Sequence, residues 1–186
     1  MIIRTGSGTI FITIVFLLVI LLLSTSTTVL AENPSVKGDT VSVYYNLSFP
    51  GGPIFETNFY ETPFTFVLGS GKVIYGFDKA ITGMIPGESK TVILPPEEAY
   101  GERNESLVYE MPFLDASDML SNFNKSNVTV SLIPGYPGPL IEYIQANGTK
   151  ERYVFTNITN ETVIVDNNKP LAGSSLKFDI TLINIT

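Results

Sequence analysis

The amino-acid sequence predicts an α+β fold built from short strands and one short helix. Apolar and polar residues alternate along 40–49 and again along 176–182, which is the period of a strand with one buried face. Between these strands, the apolar residues of 74–84 recur at steps of three and four, the period of an amphipathic helix. Two segments stand apart from this pattern: an apolar N-terminus and a long β-rich stretch before the last strand.

Turn residues separate the elements of the first part of the chain. The first strand ends at Pro50–Pro53, and a second strand is predicted at 64–68. The helix follows the break at Gly69–Gly71, and a strand at 90–94 comes after it. Together these elements place one short helix between strands, with aromatic residues entering from both sides.

The long stretch before the last strand has its own strand signals. Residues 102–127 show little clear period, and only a helix around 113–123 is suggested there. Asn147–Gly148 predicts a hairpin with a type I′ turn, and Pro134–Pro139 a rigid turn. The strands predicted in this stretch are 128–133, 141–145, 150–155 and 162–165.

The composition narrows the chemistry that the chain can perform. Its 186 residues suit one domain, or one domain with a small second one, and 44% hydrophobic residues suffice for a core. A net charge of −7 without a basic cluster argues against nucleic-acid binding. The chain has no His and no Cys, which excludes a catalytic triad, a zinc site and disulfides. Glu88, Glu97 and Glu98 lack the ordered oxygen ligands of a calcium loop, so we expect neither metal nor cofactor.

Residues 1–31 are predicted to be a signal peptide or a membrane anchor. Arg4 precedes an unbroken apolar run from Ile10 to Leu23, followed by small residues, the layout of a secretory signal. The segment 9–31 is also long enough to cross a bilayer, so both interpretations stay open. Either one places residues 35–186 outside the cytoplasm, because Arg4 is the only charge before the apolar run.

Potential glycosylation sites agree with an extracytoplasmic location. Eight asparagines fit the pattern N-x-S/T, although such sites also arise by chance in a chain rich in Asn and Thr. We therefore expect a secreted or membrane-anchored glycoprotein. The eight are Asn46, Asn104, Asn124, Asn127, Asn147, Asn157, Asn160 and Asn184.

Four segments, in this order, resemble the FKBP-type peptidyl-prolyl isomerases. They are PFTFVLG at 63–69, KVIYGFDKAITGM at 72–84, GESKTVILPPEEAYG at 87–101 and PLAGSSLKFDITLINI at 170–185. The resemblance covers most of the chain after residue 35 and implies an antiparallel sheet wrapped around one short helix. It also implies isomerisation of X-Pro bonds in unfolded or partly folded polypeptides, without a cofactor. A non-catalytic holding chaperone on the same scaffold is the alternative.

The long stretch before the last strand is similar to the SlyD-like branch of that family, in which an inserted flap domain binds unfolded chains. Minimal members have a short loop there, whereas about 60 residues intervene here, too many for a structureless loop. We expect an isomerase domain at 36–102 and 166–186, and a flap at 103–165. The flap's apolar cluster is either a surface for unfolded chains or its own core: Met111, Phe113, Leu114, Met119, Leu120 and Phe123.

The resemblance also implies the residues of a prolyl pocket. The catalytic set is Tyr45, Phe55, Glu56, Ile74, Phe77, Tyr100 and Phe178, and the substrate-binding set is Phe64, Phe66, Val73, Met111 and Phe113. Phe77 stands where the family often has Trp, so a shallower pocket is expected. Glu56 stands where Asp is usual, which leaves its hydrogen bonding open. Taken singly, Phe66, Val73 and Phe77 would look the same in a plain core.

Overall fold

The computed structural model describes residues 33–122 and 128–186. The predicted signal or anchor at 1–31 and the predicted cluster member Phe123 lie outside these residues. Within the described part of the chain, no helix combines the length and apolar character needed to cross a membrane.

The first sheet is organised around two long antiparallel strands, β1 and β10, with Tyr45 opposite Ile180 and Leu47 opposite Phe178. Strand order is β2-β1-β10-β4, and β3 also pairs with β1. Every pairing in this sheet is antiparallel, as the family resemblance implied. The strands are β1 Thr40–Ser48, β2 Ile54–Thr57, β3 Phe64–Val67, β4 Ser89–Leu94 and β10 Leu176–Ile185.

The predicted helix is confirmed but is shorter than its apolar pattern. Helix α1 spans Tyr75–Ile81, and the chain leaves it at Gly83, whose φ of +89° is strained for a residue with a side chain. Met84 lies beyond the helix and is still fully buried. The helix packs closely on the sheet, because a Cβ added to Gly76 would lie 2.7 Å from the Leu94 side chain.

The concave side of the first sheet and α1 enclose the main core. Alternate residues of β1 and β10 point into it, which is the pattern that period-two alternation predicts. The core is composed of Val41, Val43, Leu47, Phe66, Leu68, Phe77, Ala80, Ile81, Met84, Leu94, Leu171, Leu176, Phe178, Ile180 and Leu182.

A second antiparallel sheet follows, with the strand order β5-β9-β8-β7-β6. Helix α2, Phe113–Asn122, packs through Ala116 on a small core with Ile141, Phe155, Val163 and Val165. Strand β5, a short edge strand that ends in a proline, was not predicted from the sequence. The strands are β5 Val108–Pro112, β6 Val128–Ser131, β7 Leu140–Ile144, β8 Lys150–Thr156 and β9 Thr162–Asp166.

The hairpin between β7 and β8 is confirmed, but its predicted turn type is wrong. Gly148 donates its N–H to the Gln145 carbonyl and has a φ of +83°, whereas Asn147 is not among the residues with positive φ. A type I′ turn needs positive φ at both central residues, so this is a type I turn followed by a glycine bulge. Of these two residues only Gly148 has a positive φ. Asn147 accepts a hydrogen bond from the Thr149 N–H.

A narrow neck joins the two sheets. The Gly173 N–H donates to the Gly101 carbonyl at 2.8 Å, and the Arg103 Nε donates to Asp166 Oδ2 at 2.8 Å. Asn168 accepts from the Asn104 N–H and donates to the Asn104 carbonyl. The two connections therefore run side by side, and residues 33–186 form one compact unit that contains both sheets. The domain boundaries given above stay a prediction.

Gly76→Ala should destabilise the fold. In an open helix the change would gain up to about 1 kcal/mol of helix propensity. Here the added Cβ meets the Leu94 side chain at 2.7 Å and the Glu98 carbonyl oxygen at 2.9 Å. We expect a net loss of about 1–3 kcal/mol in the free energy of unfolding, measured by denaturant titration.

Gly52→Ala is the matched control, since its nearest atoms would lie at 3.4 Å and its φ is not positive. Equal stability of the Gly76→Ala and Gly52→Ala proteins would contradict close helix–sheet packing at Gly76.

Candidate active site

A cavity of about 420 Å³ opens on the concave side of the first sheet, next to the N-terminal end of α1. It draws residues from β1, β2, β3 and β10, from the turn before α1 and from the turn after β4. Its lining consists of Tyr45, Leu47, Glu56, Phe64, Gly71, Lys72, Val73, Ile74, Phe77, Tyr100 and Phe178.

Three aromatic rings form the inner end of the cavity. The Phe77 ring lies 5.1 Å from Phe178 and 5.6 Å from Tyr45, the latter at an interplanar angle of 77°. These are the edge-to-face and tilted arrangements that aromatic quadrupoles favour. Phe77 and Phe178 are each only 4% exposed, so the inner surface is apolar and well packed.

The chain enters α1 at the cavity and leaves a backbone donor there. Ile74 caps the helix in an extended conformation, and its carbonyl accepts the Asp78 N–H. In the part of the chain that the structure describes, no group accepts a hydrogen bond from the Ile74 N–H. The first N–H groups of a helix have no partner within it, so this one is available to a ligand.

A tyrosine–carboxylate pair supplies the polar side of the cavity. The Tyr45 hydroxyl donates to Glu56 Oε1 at 2.5 Å, so the longer glutamate reaches this partner. Burial, and then the hydrogen bond to Glu56, raise the pKa of Tyr45 above its ordinary value. Tyr45 is therefore a neutral hydroxyl whose proton is already donated, and the second Glu56 oxygen can still accept.

Tyr100 overhangs the cavity from the turn after β4. Its side chain is 40% exposed, and within the described residues its hydroxyl makes no hydrogen bond. Burial and the negative charge of Glu56 raise the pKa of Tyr100, which keeps the hydroxyl protonated and able to donate. Within the described residues, the cavity thus brings unpaired donors at Ile74 and Tyr100 together with an acceptor at Glu56.

Most of the residues predicted for the pocket meet at this cavity, but Phe55 does not line it. Leu47 pairs with Glu56, and Ser48 with Ile54, so Phe55 is the extra residue of a β-bulge in β2. The bulge turns its ring onto Phe49, 5.0 Å away.

Phe66 also lies outside the lining. It is 3% exposed and packs behind Phe64, with the two ring centroids 5.3 Å apart. Met111 and Phe113 belong to β5 and α2 of the second sheet and do not line the cavity either. Whether these two residues reach a substrate pocket depends on the position of the second sheet. The residues around them in sequence do not predict that position.

Three residues of the lining were missed from the sequence: Leu47, Gly71 and Lys72. Leu47 follows Tyr45 at period two in β1, and that signal alone could have identified it. The Lys72 ammonium lies 5.5 Å from the centre of the Phe64 ring, a cation–π contact at the cavity rim. The position of Lys72 at the cavity depends on the conformation of the turn before α1. No periodicity like that of β1 predicts this conformation from the sequence.

The acidic residues near α1 serve structural contacts. Glu98 pairs with Lys79 at 2.7 Å, and Glu88 accepts a hydrogen bond from the Ile85 N–H. Across 33–122 and 128–186, no three acidic side chains converge as a metal site would require.

Comparison with known proteins relates this geometry to a family. Residues 31–183 match the family model of the FKBP-type peptidyl-prolyl cis-trans isomerases. A short-type peptidyl-prolyl cis-trans isomerase of Methanocaldococcus jannaschii is 34% identical over 161 residues, which cover 77% of this chain and 89% of the relative. The FKBP-type isomerase SlyD of Vibrio cholerae is 27% identical over 150 residues, which cover 80% of this chain and 67% of the relative. A probable FKBP-type 16 kDa isomerase of Pseudomonas fluorescens is 28% identical, with coverage of 84% and 95%.

Proposed function

The chain belongs to the FKBP-type peptidyl-prolyl cis-trans isomerases, and from this premise we propose that its aromatic cavity is the site where X-Pro bonds are isomerised. The substrates are unfolded or partly folded polypeptides outside the cytoplasm, and the second sheet holds these chains. The observation that carries the proposal is the meeting of buried aromatic rings with the Ile74 and Tyr100 donors, which are unpaired within the described residues, in one cavity.

The chemistry requires no nucleophile and no proton relay. The barrier to rotation, about 18–20 kcal/mol, arises from amide resonance, which is lost as the C–N bond twists. A twisted amide is less polar than a planar one, so the rings of Tyr45, Phe77 and Phe178 favour it over the ground state. A chain without His or Cys is fully equipped for this reaction.

The polar groups of the cavity orient the peptide around the twisting bond. The Ile74 N–H and the Tyr100 hydroxyl each donate to a substrate carbonyl, and Glu56 accepts from a substrate N–H. Tyr45 cannot share the donor role, because its proton is engaged by Glu56. The proline ring then enters the space above Phe77.

The second sheet offers apolar surface for client chains. Met111, Met119 and Leu120 pack against its small core, which favours the structural interpretation for these three. Other apolar residues of this part of the chain are exposed, and exposed apolar side chains are candidate contacts for unfolded polypeptides. They are Phe113, Leu114, Val130, Leu132 and Ile158.

The extracytoplasmic location is supported by the apolar N-terminal sequence and by the positions of the potential glycosylation sites. Asn46 is half-buried within β1, and Asn124 and Asn127 lie outside the described residues. The other five are exposed: Asn104, Asn147, Asn157, Asn160 and Asn184.

Tyr100→Phe should lower kcat/KM for a short Ala-X-Pro-Phe peptide by about three- to tenfold, because one hydrogen bond to the twisted amide is lost. The measurement is cis/trans exchange with the full chain, next to thermal unfolding of the same protein. Tyr60→Phe, at a side chain 95% exposed, is the matched control. Unchanged turnover in Tyr100→Phe would remove this hydroxyl from the reaction.

The combined change Leu114→Ser and Leu132→Ser should leave peptide turnover intact and weaken the suppression of aggregation of an unfolded protein. Both side chains are at least 74% exposed, so the fold should tolerate the change. Ile93→Ser, at an exposed residue of the first sheet, is the matched control. Undiminished suppression of aggregation would argue against client binding by this surface.

Fractionation of cells that make the full chain tests its location. We expect the protein in the membrane fraction or the medium, and open to protease added to intact cells. Two charges in the apolar run, Leu18→Arg with Leu21→Arg, should block export, because each costs about 2.5–3.5 kcal/mol at the centre of a membrane helix. A protease-resistant chain in the cytoplasmic fraction would contradict the proposed location.

A further inference from the structure

The connection between β6 and β7 leaves the second sheet and packs on the first. Tyr136 donates its N–H to the Ile133 carbonyl at 3.0 Å, with Pro134 and Gly135 between them. Gly135 has a φ of +84°, so this is a type II turn with proline and glycine in their preferred positions. A Cβ added to Gly135 would lie 3.0 Å from the Phe49 ring. The turn therefore presses Tyr136 against the first sheet.

Tyr136 contacts the two chain segments that flank the cavity strands. Its ring is parallel to that of Phe49, at an interplanar angle of 3° and a centroid distance of 6.2 Å. Its hydroxyl accepts the Leu171 N–H at 3.2 Å, in the turn before β10. Leu171 has a φ of +67°, a strained value for a residue with a side chain. The hydrogen bond from its N–H to Tyr136 therefore stabilises a strained turn.

From Phe49 the packing continues into β2. Phe49 contacts Phe55, the extra residue of the β-bulge, at 5.0 Å. A bulge re-aims the side chains next to it, and the neighbour of Phe55 is Glu56. Glu56 in turn holds the hydroxyl of Tyr45 within the cavity.

We propose that Tyr136 is a positioning residue for the isomerase site: through Phe49 and Phe55 it holds the β2 bulge that directs Glu56 into the cavity. The proposal rests on the proposed function of that cavity. Tyr136 touches neither the cavity nor a substrate in it, and it acts through a stack of rings. The stack of rings thereby couples the connection between β6 and β7 to the reaction.

Tyr136→Ala should lower kcat/KM for the short peptide by about five- to tenfold, because Glu56 loses its defined direction. Tyr136→Phe keeps the ring and loses only the bond to Leu171, and turnover should stay within about twofold of wild type. Tyr109→Ala removes a half-exposed tyrosine elsewhere in the second sheet and should have no effect. Equal turnover in Tyr136→Ala and Tyr109→Ala would overturn the proposal.

A double variant separates positioning from a general loss of stability. If Tyr136 acts through Glu56, then Tyr136→Ala should cost nothing further in a Glu56→Gln background, since coupled residues are non-additive. Losses that multiply would mean that the two residues act independently, and would overturn the positioning role. Circular dichroism and thermal unfolding of each variant accompany the kinetics. If Tyr136→Ala does not fold, Phe49→Leu interrupts the same stack and should give the same non-additivity.

Tyr100→Phe distinguishes failure of this inference from failure of the proposed site. Turnover lost in Tyr100→Phe but retained in Tyr136→Ala overturns the positioning role alone. Turnover retained in both variants overturns the assignment of the cavity as well.

Discussion

The site exists because β1 and β10 pair along their length. Tyr45 and Leu47 come from one strand and Phe178 from the other, and the pairing brings together residues more than a hundred positions apart in sequence. Side chains alternate along each strand, so a slip of β10 by one residue would turn Phe178 away from Tyr45 and Leu47. The rings can meet Phe77 only in this register. Because so distant a pairing has a high entropic cost of loop closure, we expect it to form late in folding.

Helix α1 completes what the strand pair begins. Gly76 lets the helix approach β4 closely, and that approach places Phe77 against Phe178. The same helix is capped by Ile74, whose N–H has no acceptor within the described residues and lies at the cavity. A dry surface and a polar donor thus come from one short element, which explains how a reaction without acid–base chemistry is supported by so few residues.

Most of the fold and the centre of the site could be predicted from hydrophobic periodicity and from the family resemblance. Alternation identified β1 and β10, the three- and four-residue steps identified α1, and the resemblance identified Glu56 and Tyr100 at the cavity. The position of Phe55 outside the cavity lining could not be predicted, because a bulge depends on how two strands meet and the residues of one strand do not encode that alone. The turn type at Asn147 was predicted wrongly because Asn-Gly suits two turn types, and the twist of the flanking strands selects between them. Tyr136 had no sequence signal at all, since its partner Phe49 lies far away along the chain.

The neck between the sheets determines which replacements of the second sheet the first sheet could accommodate. Gly101 and Gly173 are joined by one backbone hydrogen bond, so the two ends of the second sheet's segment lie side by side. The distance between the start and the end of the whole segment is therefore no greater than the distance that a tight turn would bridge. A segment of different length could therefore join Gly101 to Gly173 without disturbing the strand pairing of the first sheet. Such a replacement would keep the cavity and its rings, but it would remove Tyr136 and with it the proposed support for the β2 bulge.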